Sequence, residues 1–456
     1  MKLSVTRTIL QKKRFRVQPS NLDITILCKV VDNFGDIGVV YRLARSLTDL
    51  FKGESLPLDS RVFEKNSVVS ASERTTPSSG TTSVFPQRPF SSLSLRIIVD
   101  NLKSFSLLEP GINPDLDYQE INGWQIFQWD AEQLCFDTFS KEPPHVILEC
   151  FQCGRPDWLE KLLFDVKIPN IADIIMIDYL TAEEYADTFH KLMSLTRSAR
   201  VKKVNFMPGF TAKTGGLILD EPFMKALSKG AGKVLEKMQD YNGAGYTSKT
   251  HSSTSFEENV FNAIFFSYPA DWQPAVRALQ TFNKKIAGGK LNVFLAKGAG
   301  CQSFKSAYEN VKCQPCEKSE LFTLTELSFL PQTEWDELLC RTPLLFIRGE
   351  DSLSRACLCG VPFVWHAYPQ TEDYQLVKVQ ALLDAMRSHF ATSVFMYVEN
   401  CWQIYNGKEG NLEQAITDFL LHYNELKEGF CNFSRSLINN GDLTLNLLEF
   451  IEERMG

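Results

Sequence analysis

No apolar run in the sequence approaches the roughly 20 residues that a membrane-spanning helix needs, which argues against a transmembrane protein. Residues 1–22 contain six Lys or Arg and no acidic residue, but they lack the sustained hydrophobic region of a secretory signal. We interpret them as a disordered basic leader or as the product of a start codon placed too far upstream. An organellar transit peptide is the less favoured alternative. The expected location is the cytoplasm.

Positive charge is not in excess either. The chain has 48 Lys and Arg against 55 Asp and Glu, which gives a formal net charge of −7. A nucleic-acid partner held by global electrostatics is therefore not expected. An acidic surface would suit a basic protein or peptide partner.

The spacings typical of metal sites are missing as well. Two Cys-x-x-Cys pairs occur, Cys150/Cys153 and Cys313/Cys316, but a zinc ribbon places such pairs about 15–20 residues apart, and here most of a domain separates them. We expect reduced thiols, with a metal site as the minor alternative. No cluster of His, Asp and Glu has metal-ligand spacing, so we expect a mechanism without a metal ion.

What the sequence does contain is a regular alternation of strands and helices. Predicted strands lie at residues 24–31, 95–99, 124–127, 146–148, 174–177, 262–268, 291–295 and 344–347, and predicted helices at 39–47, 158–164, 182–193, 272–282, 353–359 and 412–455. This alternation predicts an α/β protein with two Rossmann-like domains facing across an interdomain cleft. It is the layout of the GT-B fold, which glycosyltransferases share with other nucleotide enzymes.

Two stretches without strand or helix patterns interrupt this alternation. Residues 60–94 are rich in Ser, Thr and Pro and predict a flexible surface insertion, and residues 240–255 predict the domain boundary. We expect a leader at 1–22 and an N-terminal Rossmann-like domain at 23–255. A C-terminal Rossmann-like domain at 256–430 and a terminal helix at 431–456, packed back on the N-terminal domain, complete the expected organisation.

Two acids and two glycines fall within residues 32–38, after the first predicted strand. Ligands of doubly wound sheets bind beyond the carboxyl ends of the strands, so Asp32 and Asp36 are candidate functional residues. The alternative is that they cap the next helix. The loop lacks the Gly-x-Gly-x-x-Gly spacing of a dinucleotide site, and its acids would repel phosphate. It favours a cationic or proton-donating acceptor.

A second constellation follows the strand at 344–347 and consists of Arg348, Gly349, Glu350, Asp351 and Ser352. Asp351 and Ser352 are good N-cap residues for the predicted helix. The free N–H groups of a helix N-terminus beside an arginine suit a diphosphate. The alternative is a capped helix with a surface Arg–Glu pair.

Weaker candidates complete the inventory. The Gly-rich turn at 208–216 could hold phosphate through its backbone or line the interdomain cleft. Phe266, Tyr268 and Trp335 could sandwich a nucleobase, although aromatic residues near strand ends are more often core residues. His366 could be a catalytic base, and a hydrogen-bonded structural histidine is the favoured alternative.

Taken together, five segments resemble the EarP family, the arginine rhamnosyltransferases that mature translation elongation factor P. They are residues 31–45, 207–217, 329–332, 346–356 and 362–384. The resemblance implies a GT-B enzyme that transfers L-rhamnose from dTDP-β-L-rhamnose, with inversion, to one arginine of elongation factor P. It implies that the N-terminal domain binds the acceptor and the C-terminal domain the nucleotide sugar. No cofactor, nucleic acid or membrane partner is implied.

The resemblance also implies roles for single residues. Asp36 matches the family's proposed general base, Asp32 its companion acid, and Glu350 a third acid required for activity. The expected thymidine contacts are Phe266, Tyr268, Gln332 and Trp335. The expected diphosphate contacts are Arg348, Asp351 and Ser352, and the donor site also includes Asn33, Phe34, Gly35 and Glu350.

Some positions depart from the family pattern. Trp335 stands where the family has Phe or Tyr, Tyr41 stands where Trp is usual, and the insertions at 60–94 and 240–255 are not typical. The alternatives are another GT-B nucleotide-sugar enzyme, with a different acceptor or an epimerase activity, and a non-catalytic nucleotide-binding protein. The three acids argue against the last alternative, because a protein that only binds an anionic nucleotide gains nothing obvious from them.

Overall fold

The computed structural model describes residues 21–31, 35–52, 89–164, 172–239, 260–285, 288–313 and 321–455. These residues form two α/β halves, each built around one sheet. Residues 1–20 of the predicted leader and the whole predicted boundary at 240–255 lie outside the described residues. So does most of the predicted insertion at 60–94.

The first half contains an eight-stranded sheet. Its strands are β1 (Asn21–Cys28), β2 (Ser92–Val99), β3 (Tyr118–Ile121), β4 (Trp124–Gln128), β5 (Val146–Cys150), β6 (Ala172–Ile177), β7 (Met193–Ser194) and β8 (Val201–Phe206). Its helices are α1 (Gly35–Lys52), α2 (Leu102–Leu108), α3 (Glu132–Lys141), α4 (Asp157–Phe164) and α5 (Tyr185–Phe189). The order is β3-β4-β2-β1-β5-β6-β8-β7, and only β3 and β7 pair antiparallel to their neighbours. The six parallel strands thus follow the doubly wound order of a Rossmann fold.

Helix α6 (Glu221–Gln239) precedes the second half, which contains a five-stranded, all-parallel sheet. Its strands are β9 (Phe261–Phe265), β10 (Leu291–Leu295), β11 (Thr323–Glu326), β12 (Leu344–Arg348) and β13 (Phe363–His366). The helices that follow α6 are α7 (Gln273–Lys285), α8 (Cys301–Lys312), α9 (Gln332–Arg341), α10 (Glu350–Cys359), α11 (Tyr374–Arg387), α12 (Thr392–Tyr405), α13 (Leu412–Leu421), α14 (Tyr423–Asn439) and α15 (Leu443–Met455). The strand order β11-β10-β9-β12-β13 is again the doubly wound one.

The central strands are apolar because helices cover both faces of each sheet. Every residue of β5, β9 and β10 is buried. Strands buried on both faces read as continuous apolar runs rather than as alternating patterns, which is how the sequence predicted them. The two-sheet α/β architecture confirms the predicted fold class. Within the described part of the chain, no helix is long and apolar enough to cross a membrane.

Several predicted boundaries were wrong, including the end of the strand predicted at 262–268, which stops at Phe265. Strand β1 ends at Cys28 rather than at residue 31, because the next N–H groups donate to side chains: that of Val30 to Asp100 (2.9 Å) and that of Val31 to Asp36 (2.7 Å). The helix predicted at 182–193 is only the five-residue α5, since Lys191 takes a positive φ of 61° and the chain then pairs with β8. Strand β2 begins at Ser92, inside the predicted insertion.

The C-terminal helices divide between the two halves. Helix α14 packs on the second half, where Phe430, Phe433 and Leu437 join its core. Helix α15 returns to the first half and inserts Leu447 and Ile451 into that core. The return to the first half therefore begins at α15, after the start of the predicted terminal helix at residue 431.

Candidate active site

Two adjoining cavities lie where the carboxyl ends of β1 and β12 meet. The first cavity, of about 410 Å³, is lined by Phe266, Gln332 and Trp335 among others, and the second, of about 520 Å³, by Asp36 and Tyr268 among others. They share the wall made by Gly35, Ala299, Arg348, Gly349 and Glu350. The start of α1, with Gly35 and Asp36, and the 348–352 segment, which are far apart in sequence, therefore meet at one site. This is the position at which doubly wound sheets bind ligands.

Asp36 occupies the first turn of α1 and is only 4% exposed. Its Oδ2 accepts the N–H of Val31 at 2.7 Å, so the carboxylate is anchored by the chain that leads into its own helix. Its side chain lines the second cavity. Asp32, Asn33 and Phe34 lie outside the described residues, and their predicted roles remain predictions.

Glu350 begins helix α10 and lines both cavities. Its Oε2 accepts the N–H of Leu180 from the opposite half at 3.2 Å. Burial raises the pKa of Glu350 to about 8; Lys378 opposes the rise, and the negative charges of Asp36 and Asp178 add to it. Two carboxyl groups from different halves thus face the same cavity, and burial favours the protonated form of Glu350.

Arg348, the last residue of β12, lies against two aromatic rings. Its guanidinium carbon is 4.6 Å from the ring centroid of Phe266 and 4.6 Å from that of Tyr268. Cation–π contacts of this kind hold a guanidinium in place without using up its hydrogen-bond donors. The charge of Arg348 therefore lies on the wall shared by the two cavities.

The three aromatic residues predicted to hold a nucleobase do not form one sandwich. Phe266 and Trp335 meet edge to face in the first cavity, with ring centroids 5.5 Å apart. Tyr268 lines the second cavity instead and is 6% exposed. Of these three residues, only Phe266 and Trp335 line the first cavity, where a planar ligand could contact them.

Gln332 and Ser352 complete the polar groups of the first cavity. The Nε2 of Gln332 donates to the carbonyl of Gly38 at 3.0 Å, whereas its buried Oε1 accepts no hydrogen bond from any described residue. That oxygen is suited to accept from a ligand N–H, because a buried acceptor without a donor is costly. The Nε1 of Trp335 donates to the Oγ of Ser352 at 3.3 Å.

The prediction that Asp351 and Ser352 cap the helix was wrong. Helix α10 begins at Glu350, after Gly349 with its positive φ of 75°, so both residues lie inside the first turn. The carboxylate of Asp351 instead accepts hydrogen bonds from the Nε and Nη2 of Arg42, each at 3.0 Å. No side-chain cap covers the first N–H groups of α10, so this helix end keeps the positive character that favours an anion.

Two weaker candidates have structural roles. His366 is 7% exposed, its Nδ1 accepts the N–H of Tyr268 at 3.2 Å, and burial lowers its pKa to about 4. A neutral, bonded histidine of this kind fits the structural alternative. The turn at 208–216 is held against α15, where Asn446 donates to the carbonyl of Gly215 at 3.0 Å, and Phe210 brings it to the second cavity.

Nothing in the described part of the chain forms a group of three or more His, Cys, Asp or Glu that could hold a metal ion. Cys150, Cys153 and Cys313 are free thiols, and Cys316 lies outside the described residues.

The comparison with known families decides the class of the protein. The sequence model described as Elongation-Factor P (EF-P) rhamnosyltransferase EarP matches residues 24–55 and 90–452, which is most of the chain. The chain belongs to the EarP family. This confirms the predicted resemblance and the prediction of an enzyme of the transferase class.

Relatives of EarP in several bacteria support the assignment. The chain is 28% identical over 447 residues to a protein-arginine rhamnosyltransferase of Shewanella oneidensis, with 94% of this chain and 97% of that protein covered. It is 24% identical over 388 residues to the Pseudomonas aeruginosa protein of the same name, with 84% and 87% covered. A solved structure on EarP-mediated arginine glycosylation of translation elongation factor EF-P has a TM-score of 0.50 at 17% identity, and covers 95% of this chain and 99% of that one. At that identity the structure supports the GT-B fold alone.

Sequence reasoning missed one wall of this EarP site. The loop before α8 brings Lys297, Gly298 and Ala299 to the first cavity. A Cβ on Gly298 would lie 3.0 Å from Phe266 and 3.2 Å from the Nη2 of Arg348, and one on Gly300 would lie 2.2 Å from the carbonyl of Ser267. The signal was present as Gly298 and Gly300, which begin three positions after the end of a predicted strand, since glycines at such places mark close backbone approach.

Proposed function

We propose that this chain transfers L-rhamnose from dTDP-β-L-rhamnose to an arginine side chain of translation elongation factor P, with inversion at the anomeric carbon. The observation that carries the proposal is the shared wall of the two cavities. There, Arg348 and the start of α10 supply positive charge and Glu350 supplies a carboxyl group, and Asp36 supplies a second carboxyl group from the opposite half in the adjoining second cavity. A donor with an anionic leaving group and a cationic acceptor require charges of these two kinds.

The first cavity suits the donor nucleotide. Phe266 and Trp335 offer aromatic surface for a base, and the Oε1 of Gln332 can accept the imide N–H of thymine. Ser352 and the N-terminus of α10 then lie near a diphosphate that Arg348 can neutralise. The positive charge of Arg348 and of the α10 N-terminus would stabilise the departing dTDP, as a metal ion does in other enzymes.

The second cavity suits the acceptor arginine. A guanidinium with a pKa above about 12 is a poor nucleophile, and no carboxylate can deprotonate it in the ground state. Asp36 and Glu350 can instead orient it by charge-assisted hydrogen bonds. As a guanidinium nitrogen bonds to the anomeric carbon and the bond from that carbon to the phosphate oxygen breaks, the nitrogen becomes acidic. Asp36 then takes its proton, and dTDP leaves.

Asp32, outside the described residues, keeps its predicted role as the acid that positions the acceptor. The remaining expectations belong to the same proposal: a cytoplasmic enzyme whose partners are elongation factor P and the nucleotide sugar. No cofactor takes part in the steps described.

The direct test is incubation of the chain with dTDP-β-L-rhamnose and elongation factor P, followed by mass spectrometry of the acceptor. One deoxyhexose on a single arginine is the expected result. An acceptor with that arginine replaced by lysine is the control and should gain no mass. If the wild-type chain adds no mass to elongation factor P, the proposed transfer is wrong.

Asp36→Asn tests the assignment of the base. The variant should bind dTDP like the wild type, because Asp36 lines only the second cavity, but its turnover should fall by about 100-fold or more. Asp115→Asn, which changes an exposed acid of the same half, is the matched control and should keep full turnover. Wild-type turnover in Asp36→Asn would refute the assignment.

A further inference from the structure

Arg42, in the middle of α1, has a fully buried guanidinium with carboxylates on three sides. It grips Asp336 of α9 through Nη1 at 2.6 Å and Nη2 at 3.2 Å, and Asp351 of α10 through Nε and Nη2, each at 3.0 Å. Its Nη1 also lies 3.3 Å from both oxygens of Asp220, just before α6. All five N–H donors of the guanidinium can be used by these contacts.

The charges in this cluster balance. Asp220 also accepts Arg45 at 3.0 Å and the Nη1 of Arg355 at 3.0 Å, so three arginines face three aspartates. Burial alone would raise the pKa of Asp351, but Arg42 outweighs it and holds that pKa below its ordinary value. Asp351 is therefore ionised although it is enclosed by protein, whereas burial raises the pKa of Asp336 above its ordinary value.

A buried ionic cluster of this size needs a reason beyond stability. Well-packed apolar side chains often stabilise a protein as much or more, because burying charge carries a large desolvation cost. What a forked ionic contact adds is fixed geometry, since a bidentate pair tolerates only one mutual orientation. The role of Arg42 therefore depends on which structural elements it holds in a fixed orientation.

Those elements carry the two acids of the candidate active site. Asp36 lies on α1, the helix of Arg42, and Glu350 directly precedes Asp351 on α10. The two helices belong to different halves. The Arg42–Asp351 contact is therefore a bridge between the helix that holds Asp36 and the helix that holds Glu350.

We propose that Arg42 is a positioning residue, which sets the separation and orientation of Asp36 and Glu350 across the second cavity through its forked contact with Asp351. The predicted effect on kcat rests on the proposed transferase function, whereas the predicted effect on the separation of Asp36 and Glu350 does not. Arg42 touches neither cavity, so it acts only through the two helices.

Arg42→Lys is the informative variant, because lysine keeps the charge but cannot grip two carboxylates in a fork. Arg96→Lys is the matched control. Arg96, on β2, is 2% exposed, donates to Asp23 and to the carbonyl of Glu142, and lines neither cavity. Both variants lose a buried arginine contact to a carboxylate, and only the first loses a contact to α10.

The expected result is that Arg42→Lys lowers kcat for rhamnosyl transfer about 100-fold, as a misplacement of about 1 Å can do. Its affinity for dTDP should change far less. Arg96→Lys should lose comparable thermal stability and keep kcat near the wild-type value. Equal losses of kcat in the two variants would show that Arg42 contributes only to stability.

A crystal structure of Arg42→Lys tests the geometry without reference to activity. We expect the Glu350 carboxyl group to move by about 1 Å relative to Asp36, and an unchanged separation would overturn the inference. If the lysine variant does not fold, the charge-balanced pair Arg42→Gln with Asp336→Asn replaces it in both measurements, with the same two outcomes. Absence of transfer by the wild type would refute the proposed function, and the crystallographic comparison would still decide the role of Arg42.

Discussion

Replacing Glu350 by glutamine should stabilise the protein at high pH and leave it unchanged near pH 5. Burial raises the pKa of this carboxyl group from its ordinary value of 4.5 to about 8. Between these two values the folded chain holds one proton more than the unfolded chain at this position, so the stability of the wild type falls as pH rises. Above pH 8 both states are ionised and the loss is complete. Glutamine has no such proton to lose.

The magnitude follows from the same interval. About 3.5 pH units at about 1.4 kcal/mol each gives an upper bound of about 5 kcal/mol for the cost of ionising folded Glu350. Because the side chain lines cavities rather than a sealed core, we expect about 2–3 kcal/mol. Glutamine can still accept the N–H of Leu180, so the contact to the opposite half is kept.

Urea unfolding at pH 5, 7 and 9 measures the effect. The gain in the free energy of unfolding of Glu350→Gln over the wild type should be near zero at pH 5, grow through pH 7 and level off by pH 9. Glu184→Gln, which changes an exposed glutamate on the segment before α5, is the control and should show no trend. A difference for Glu350→Gln that does not change with pH, or a variant less stable than the wild type at pH 9, would refute the reasoning.

Three further outcomes are expected. Trp335→Ala should weaken dTDP binding about 10- to 100-fold in calorimetry, because one base–aromatic stack is lost, whereas Trp335→Phe should bind nearly as well; equal affinities for Ala and Phe would exclude stacking. Gly298→Ala should also weaken dTDP binding at an unchanged melting temperature, since its Cβ would lie 3.0 Å from Phe266 and 3.2 Å from Arg348. An unaltered affinity would show that the loop moves to accommodate the added methyl group. Finally, kcat/KM for the protein acceptor should rise with pH up to about 8, as Glu350 ionises, and this rise should be absent in Glu350→Gln; a wild-type profile that falls from pH 6 to 8 would contradict the role of the carboxylate.

The sheets could be predicted from the sequence because a strand buried on both faces leaves a local signal, an uninterrupted apolar run. The ends of the strands could not. β1 stops where Asp36 and Asp100 take the next N–H groups, and nothing local marks Val30 and Val31 as bonded to side chains. In the same way, the positive φ of Lys191 ended a helix that its neighbours' spacing had favoured.

The residues of the candidate site show the same contrast between local sequence signals and contacts that are distant in sequence. Asp36 and Arg348 could be picked out because each follows a predicted strand, and the carboxyl ends of strands are where ligands bind. Asp351 was misread as a helix cap because its true partner, Arg42, is 309 positions away in sequence. Arg42 itself was only one polar residue in a helical pattern. A fully buried arginine cannot be recognised before the fold shows which carboxylates surround it.

The return of α15 to the first half has a consequence for how the chain folds. The core around the first sheet is completed by Leu447 and Ile451, and the N–H of Leu219 donates to Asp442 at 2.8 Å. On the ribosome, the half that is made first must therefore wait for α15, which is made after all the elements of the second half, before it can complete its core. Contacts between residues so distant in sequence slow folding. They also make the two halves one cooperative unit, so that neither half has its complete core when it is expressed without the other.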